Sequence, residues 1–451
     1  MVMKILVASV VAPNGLGDEL QNIVGAVLIT KHFSNAKVDM FVPTGSLNAP
    51  LTLIPSSSSI RILQGFHERT DVFSIFRMFV GSGVTKQKPQ KVAFPEYNTT
   101  LSKNLVSKLK DLVYKRYYEN TIMATYVRPP VGRFIDGLKY DGGFIAGHTL
   151  EYAAFFDDLL TYNCARFVVK GPLIIYPISA SLIGLKHRER YLKALRKALQ
   201  RFDVIFVRGR YSYDILTKFV DPSRLFVTLD SGFGIRILAE NPGNFVRRRS
   251  LVVCIVPRSD YFYFYNLGQL YPRYLLALKH LIRVLISEFD AEIWLVPHTV
   301  KSSTRLGDEY AIHDLLGILD ESLRRNIEIK APQNIFDSAR IFNSCDMVIT
   351  SRMHAGIVSL AYGKPTLFFM PRDDVKVLDV LSYLGLSEER YIVDSFDPRE
   401  YDKLPGIVKD ILFNLSRETK TIEFTIGRHL PDIEKPVILA KKLLSDVRVY
   451  G

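Results

Sequence analysis

Arg352 and His354 stand two residues apart at the head of SRMHAGIVSLAYGKPTLFF (Ser351–Phe369), a segment whose centre is small and apolar. A guanidinium and an imidazole at that spacing can hold an anion and move a proton beside it. The apolar run CDMVIT lies ahead of them, and the stop signal Gly363-Lys364-Pro365 follows. The pattern predicts a buried strand, then Ser351 as the N-cap of a helix from about Arg352 to Tyr362. Cations in a first helical turn oppose the helix dipole by a few tenths to about 1 kcal/mol. Their presence is explained if an anion is held there by backbone N–H groups and side chains together, at the carboxyl end of a parallel strand where open α/β sheets bind ligands.

Other residues fall at similar positions. NGLGD (Asn14–Asp18) follows an apolar run, and Gly15 and Gly17 would let a ligand approach the backbone closely; a turn capped by Asp18 is the plainer alternative. The motif is not GxGxxG, so it carries no dinucleotide claim. His148 and His298 each lie just past a strand-like run, as ligand groups or as structural histidines. No CxxC, HxH, HExxH or DxD spacing points to a metal. Asp157-Asp158 and Asp373-Asp374 read as solvated loop or helix acids.

The elements that must position these residues alternate between short apolar runs and helix-length segments in both halves. The fold class expected is α/β: two Rossmann-like, doubly wound domains facing a cleft. Residues 1–243 form the first domain, with an elaboration at about 45–140, and 249–430 the second. A C-terminal helix over 431–451 can pack back across both. The boundary is set at AENPGNFVRRRS (Ala239–Ser250), where Asn-Pro-Gly and three arginines break regular structure. Inside the elaboration, LSKNLVSKLKDLVYKRYY (Leu101–Tyr118) sorts leucines to one helical face and lysines elsewhere. It reads as a domain helix with a basic face, or as a membrane-surface helix.

A chain of 451 residues suits two domains, and its 48% hydrophobic and 23% charged residues exclude intrinsic disorder. The net charge of +13 points to anionic partners, a phosphorylated molecule or an acidic membrane face. Nucleic acid is set aside, for no RNP-like, zinc-finger or basic-zipper pattern occurs. Cys164, Cys254 and Cys345 are far apart and read as reduced. MVMKILVASVVAP lacks a basic leader and reads as a first strand, and no stretch is long and apolar enough to span a bilayer. The localisation expected is cytoplasmic, with peripheral contact at the inner membrane face.

Taken with RDDVKVLDVLSYLGL, the Ser351 segment resembles the C-terminal signature of the polysaccharide pyruvyl transferase family. Ser351, Arg352, His354, Gly363, Pro365, Lys376, Val377 and Leu384–Leu386 carry the likeness. NGLGDEL, VIFVRGRYS (Val204–Ser212) and VPHTVKSSTRLGDEY (Val296–Tyr310) resemble its other motifs in order. The resemblance implies transfer of the pyruvyl group of phosphoenolpyruvate to a sugar or lipid-linked glycan of the cell surface, giving a pyruvate ketal and phosphate without cofactor or metal. It implies His354, Arg352 and Arg208 as catalytic residues and Ser351, Met353, Lys376 and His298 as donor-binding ones. Asn14, Gly17, Asp18 and His148 would bind the acceptor. Two departures stand out: Gly209 replaces the usual aspartate after the arginine, and Gly147-His148 interrupts a usual triple glycine. A nucleotide-sugar glycosyltransferase of two-Rossmann-domain type, or a non-catalytic family member, are the alternative readings.

Overall fold

The computed structural model describes residues 2–8, 16–42, 60–64, 139–146, 149–150, 162, 165–181, 189–238, 250–299 and 307–449. Asn14, His148, Asp157-Asp158, Cys164, the helix expected at Leu101–Tyr118 and the boundary segment 239–249 lie outside the described residues. Of Gly17 and Asp18 the backbone alone is described.

The apolar runs form two parallel sheets. The first contains β1 (Met3–Ala8), β2 (Ala36–Val42), β3 (Ile60–Gln64), β4 (Gly142–Ile145), β5 (Thr149–Leu150), β6 (Leu173–Ala180), β7 (Val204–Val207) and β8 (Leu225–Val227). Its order is β3-β2-β1-β4-β6-β7-β8, with β5 paired to β6. Within the stretch read as an elaboration, Ile60–Gln64 is thus a strand of the sheet itself, paired in parallel to β2. The second sheet contains β9 (Val252–Val256), β10 (Glu292–Leu295), β11 (Ile327–Ile329), β12 (Met347–Thr350), β13 (Thr366–Met370) and β14 (Ile392–Asp394), ordered β11-β10-β9-β12-β13-β14. In each sheet the strand order reverses beside the first strand, so the switch point of the second lies between the loops that follow β9 and β12.

Strands buried on both faces explain the near-continuous apolar runs; β6, β7, β9, β12 and β13 are buried at every residue. The helices that position the site are α1 (Leu16–His32), α2 (Arg210–Leu216), α3 (Asp308–Ile318), α4 (Met353–Ala361), α5 (Val375–Leu384) and α6 (Lys435–Val449). Leu16, Leu20 and Ile23 of α1 share one apolar cluster with Met353, Ile357, Val377 and Leu381 of α4 and α5. A single core therefore runs across both domains. The C-terminal segment returns over the first domain: Lys31 Nζ lies 2.7 Å from Glu434 and Thr228 Oγ1 donates to the Asp432 carbonyl at 2.6 Å. No helix among the described residues is long and apolar enough to cross a membrane.

The domains touch closely where α2 meets α5. The Asp379 carboxylate accepts from the Ser212 backbone N–H at 3.0 Å and from the Ser212 hydroxyl, which in turn accepts from Ala180 N at 2.7 Å. An acid of the second domain thereby takes the place of an N-terminal cap on α2, whose own cap position, Gly209, offers no side chain. Burial pushes the Asp379 carboxyl up to about 6, against the opposing hydrogen bonds from Ser212. Gly209 is extended, at φ −170° and ψ −175°, so its backbone needs no glycine. Space requires one: a Cβ there would stand 2.6 Å from the Asp379 Cα and 2.5 Å from its carbonyl oxygen.

Gly209→Ala should push α2 off α5 and destabilise the closed arrangement by about 1–3 kcal/mol, the scale of overpacking against backbone that cannot yield. Chemical denaturation of the variant beside wild type measures this, and equal midpoints would show that the seam opens without strain.

Candidate active site

The carboxyl ends of both sheets face the same cleft. On the second domain, Arg258 and Asp260 follow β9, His298 follows β10, Arg352 and His354 follow β12, and Lys376 follows β13. On the first, Arg208 follows β7 and Asp230 follows β8.

Helix α4 begins at Met353, with Arg352 in the cap position and no side-chain cap. The expectation that Ser351 caps it is corrected. Ser351 is buried, its hydroxyl donates to the Phe369 carbonyl at 2.8 Å, and it lies 2.8 Å from the Tyr274 hydroxyl. Thr350 takes over the local turn by accepting from Arg352 N at 2.9 Å. The stop signal does end the helix, with Gly363 at φ 74°.

Arg352 does not stand unpaired. Its Nε donates to Asp308 Oδ1 at 2.9 Å, its Nη2 to the same oxygen at 2.5 Å, and its Nη1 to Asp260 Oδ2 at 3.1 Å. Asp308, the first residue of α3, has no exposed surface and also accepts from His298 N and Thr299 N at 2.9 and 2.8 Å. Arg258 pairs with Asp260 and lies over the Tyr261 ring, 3.2 Å from its centroid. Burial acts to raise the Asp260 carboxyl, yet Arg258 and then Arg352 hold it below its usual value. Lys376 Nζ donates to the Tyr261 hydroxyl at 3.0 Å and lies 3.7 Å from Asp374. Asp374, expected as a solvated acid, is instead the cap of α5, accepting from Lys376 N at 3.0 Å. The physical reason is common to all of these: a guanidinium or ammonium taken out of water needs a carboxylate to offset its desolvation.

Arg208 is fully buried in the seam. Its Nε lies 2.5 Å from Asp230 Oδ2, and its Nη1 meets the Met353 sulfur at 3.9 Å. Its Nη2 is a buried donor with no hydrogen-bond partner among the described residues. Gln21 of α1 donates from Nε2 to both Asp230 oxygens at 3.1 Å and reaches His354 Nε2 at 3.1 Å. Because an amide NH2 cannot accept, this contact leaves His354 Nε2 without a proton and puts its hydrogen on Nδ1. The imidazole is therefore neutral. Burial first, then the charge of Arg208, with smaller contributions from protonating beside His298 and from Lys376, hold its pKa well below the usual imidazole value. His298 is lowered to about 3 by burial and by Arg352; its Nε2 is buried without a hydrogen-bond partner among the described residues.

The structure thus brings Arg208, Met353, His354, Lys376, His298 and Arg352 to one cleft, with Ser351 buried beneath it. Gln21, Asp230, Arg258 and Asp260 were not singled out from the sequence, whereas the positioning carboxylate of Asp308 is the aspartate of the motif Val296–Tyr310. The strand-end position that marks Arg352 also marks Arg258 and Asp260 and could have found them. Gln21 is a neutral amide inside a helix and carries no local signal. Among the described residues no group of three or more His, Cys, Asp and Glu side chains is placed to hold a metal ion.

A sequence model of the family described as polysaccharide pyruvyl transferase matches residues 85–373. No curated protein matches the chain. By structure the chain is similar to UDP-GlcNAc 2-epimerase from Neisseria meningitidis bound to UDP-GlcNAc, with TM-score 0.52 and 11% identity over 98% of this chain and 100% of that one. It is also similar to Anabaena Alr3699/HepE in complex with UDP-glucose, with TM-score 0.51 and 13% identity over all of both chains. The S. aureus MnaA–UDP structure gives TM-score 0.51 and 10% identity over 93% and 90%. At such identities the likeness is one of fold, the two-domain α/β arrangement of GT-B type.

Replacing Gln21 with glutamate sets a carboxylate against His354 in place of an amide donor, and should move the His354 titration upward toward the ordinary imidazole range. Ring-proton NMR across pH, with His354→Gln to assign the signal, measures it; an unmoved titration would mean that Gln21 does not govern His354.

Proposed function

The chain belongs to the polysaccharide pyruvyl transferase family, and we propose that it transfers the pyruvyl group of phosphoenolpyruvate to a sugar of a cell-surface glycan, forming a pyruvate ketal and releasing phosphate. Beyond family membership, the observation that carries this reading is the meeting of Arg208 from one domain with Met353 and His354 from the other, across a buried seam. The donor carries a carboxylate and a phosphate, and one strand end cannot hold both. Arg208 Nη2 and the cations past β9, β12 and β13 offer donors on two sides.

In the reaction, an acid protonates the methylene carbon of the enol phosphate, leaving an oxocarbenium-like centre at the carbon bearing phosphate. One sugar hydroxyl adds there and loses its proton. A second hydroxyl adds as the carbon–oxygen bond to phosphate breaks, the bonding pair leaving with phosphate. Of the two protons released by the hydroxyls, one restores the acid and one is taken by the departing phosphate. His354 is the residue assigned the acid role. It is neutral in the free protein, so this reading requires the incoming anion to raise its pKa and to displace the Gln21 contact. Turnover then depends on the imidazolium, and falls as pH rises through the pKa of His354 in the complex. No cofactor or metal is required, and an acceptor carried on lipid would bring the chain to a membrane surface.

The rival reading, a nucleotide-sugar glycosyltransferase, needs an acid late in the second domain for a ribose. The two late glutamates with buried contacts are engaged within the domain, Glu400 by Arg372 and the Asp394 N–H, Glu418 by Arg390 and the Tyr391 hydroxyl.

A thermal-shift titration with phosphoenolpyruvate, paired with a phosphate-release assay, tests the proposal. Wild type and His354→Gln should both be stabilised, while His354→Gln turns over roughly 100-fold more slowly or worse. Absence of stabilisation in both proteins sinks the reading. Arg352→Lys should lose most turnover although charge is kept, since lysine cannot reproduce the three-point contact with Asp308 and Asp260. Full activity in that variant would show that turnover does not depend on Arg352.

A further inference from the structure

Beside the cleft, a cavity of about 230 Å³ opens between Ser181, which follows β6 in the first domain, and the second domain's Tyr265, Asp373, Lys376 and Phe396. We propose that this cavity takes one sugar ring of the acceptor, stacked on the shelf formed by Tyr265 and Phe396; the proposal rests on the transferase reading above and assigns the acceptor side of the same cleft.

Three observations carry it. The shelf is rigid and aromatic: the Tyr265 and Phe396 rings stand 5.5 Å apart at 67°, Tyr261 packs edge-on against both, and Phe262 braces Phe396 from the core at 5.6 Å. Tyr265 nevertheless keeps 43% of its surface exposed. An apolar ring face held open to solvent beside hydrogen-bonding groups suits a pyranose, which is apolar on its C–H faces and polar around its rim.

The hydrogen-bonding rim is also present. Asp373 lines the cavity, is exposed, and has no hydrogen bond or ion pair among the described residues. An ionised carboxylate has two acceptor oxygens, enough for a pair of neighbouring hydroxyls. Ser181 adds a hydroxyl from across the seam, so a ring seated there touches both domains.

Charge then decides which substrate belongs here. Among the described residues that line the cavity, Asp373 and Asp374 face one cation, Lys376, already set on the Tyr261 hydroxyl and near Asp374. That end of the cleft has a net negative character and disfavours the donor, with its carboxylate and phosphate, but not an uncharged polyol. The donor falls to the side of Arg208 and His354, and Lys376, whose charge is felt at His354, stands between the two. The cavity is smaller than the roughly 300 Å³ at which drug-sized pockets begin, consistent with one ring rather than a longer glycan segment.

Saturation-transfer NMR with methyl glucoside, methyl galactoside and methyl mannoside as probes tests this without any turnover. Wild type should transfer to at least one of the three, and Tyr265→Ala and Asp373→Asn should each reduce that transfer at least fivefold. Both residues lie at the exposed rim, and a phosphoenolpyruvate thermal shift like that of wild type would show the variants folded with the donor side intact. Transfer as strong in both variants as in wild type, or none from any hexoside to wild type, overturns the proposal. So does loss of the phosphoenolpyruvate shift in Tyr265→Ala with sugar contacts retained, which would put the donor in this cavity. If wild type shows no phosphoenolpyruvate shift but the hexoside contacts behave as expected, the transferase reading fails while the sugar site stands.

Discussion

An arginine with no exposed surface must have its counter-ion built in, and the ion pair between Arg208 and Asp230 is the contact on which this cleft depends. Arg208 sits past β7 because the chain leaves the sheet there, and Asp230 sits past the neighbouring strand, β8. Asp230 also accepts from Gly232 N and from Gln21, and Gln21 reaches His354. One carboxylate thus ties together a sheet edge, a turn, the first helix and the imidazole of the other domain. Removing one partner of such a pair leaves a bare buried charge, a loss on the order of 3–5 kcal/mol. The site and the seam are therefore held by the same contact.

The same rule governs the remaining cations. Arg352 is matched by Asp308 and Asp260, Arg258 by Asp260, and Lys376 by Asp374 and the Tyr261 hydroxyl. The free cleft is close to electrically balanced rather than strongly positive. An anion entering it meets preorganised donors that are already oriented, and gains from the remaining N–H groups more than from naked charge. Its own charge acts chiefly on His354, whose neutral state depends on burial and on the cations around it. In such a cleft the ligand itself sets the protonation state of the residue beside it.

The seam adds a geometric constraint. Gly209 lets α2 approach the backbone of α5, and Asp379 crosses over to bond Ser212. A shared apolar cluster of α1, α4 and α5 surrounds this contact. The two domains are consequently positioned with little freedom where Arg208 meets Met353, and the distances there are fixed by backbone packing rather than by flexible side chains.

The sequence by itself determined the parallel two-domain architecture, because strands buried on both faces must be written as continuous apolar runs and strand-end residues must face the cleft. It also marked His298, Arg352 and His354 by residue type and position past apolar runs, and Arg208 and Lys376 through the family resemblance. It misread Ser351 as a cap, since a serine before an apolar helix satisfies the local rule whatever its hydroxyl later meets; only the packing of β12 against β13 gave it the Phe369 carbonyl. Gln21, Asp230 and Asp379 were beyond its reach for the same reason. Their partners lie 333, 209 and 167 residues away along the chain, and a hydrogen bond at that separation exists only once the tertiary fold has brought those segments together. The pairing of the cations is decided by strand ends brought side by side within each domain, the neutrality of His354 and the reason for Gly209 by what stands across the seam, and nothing in the local sequence encodes either.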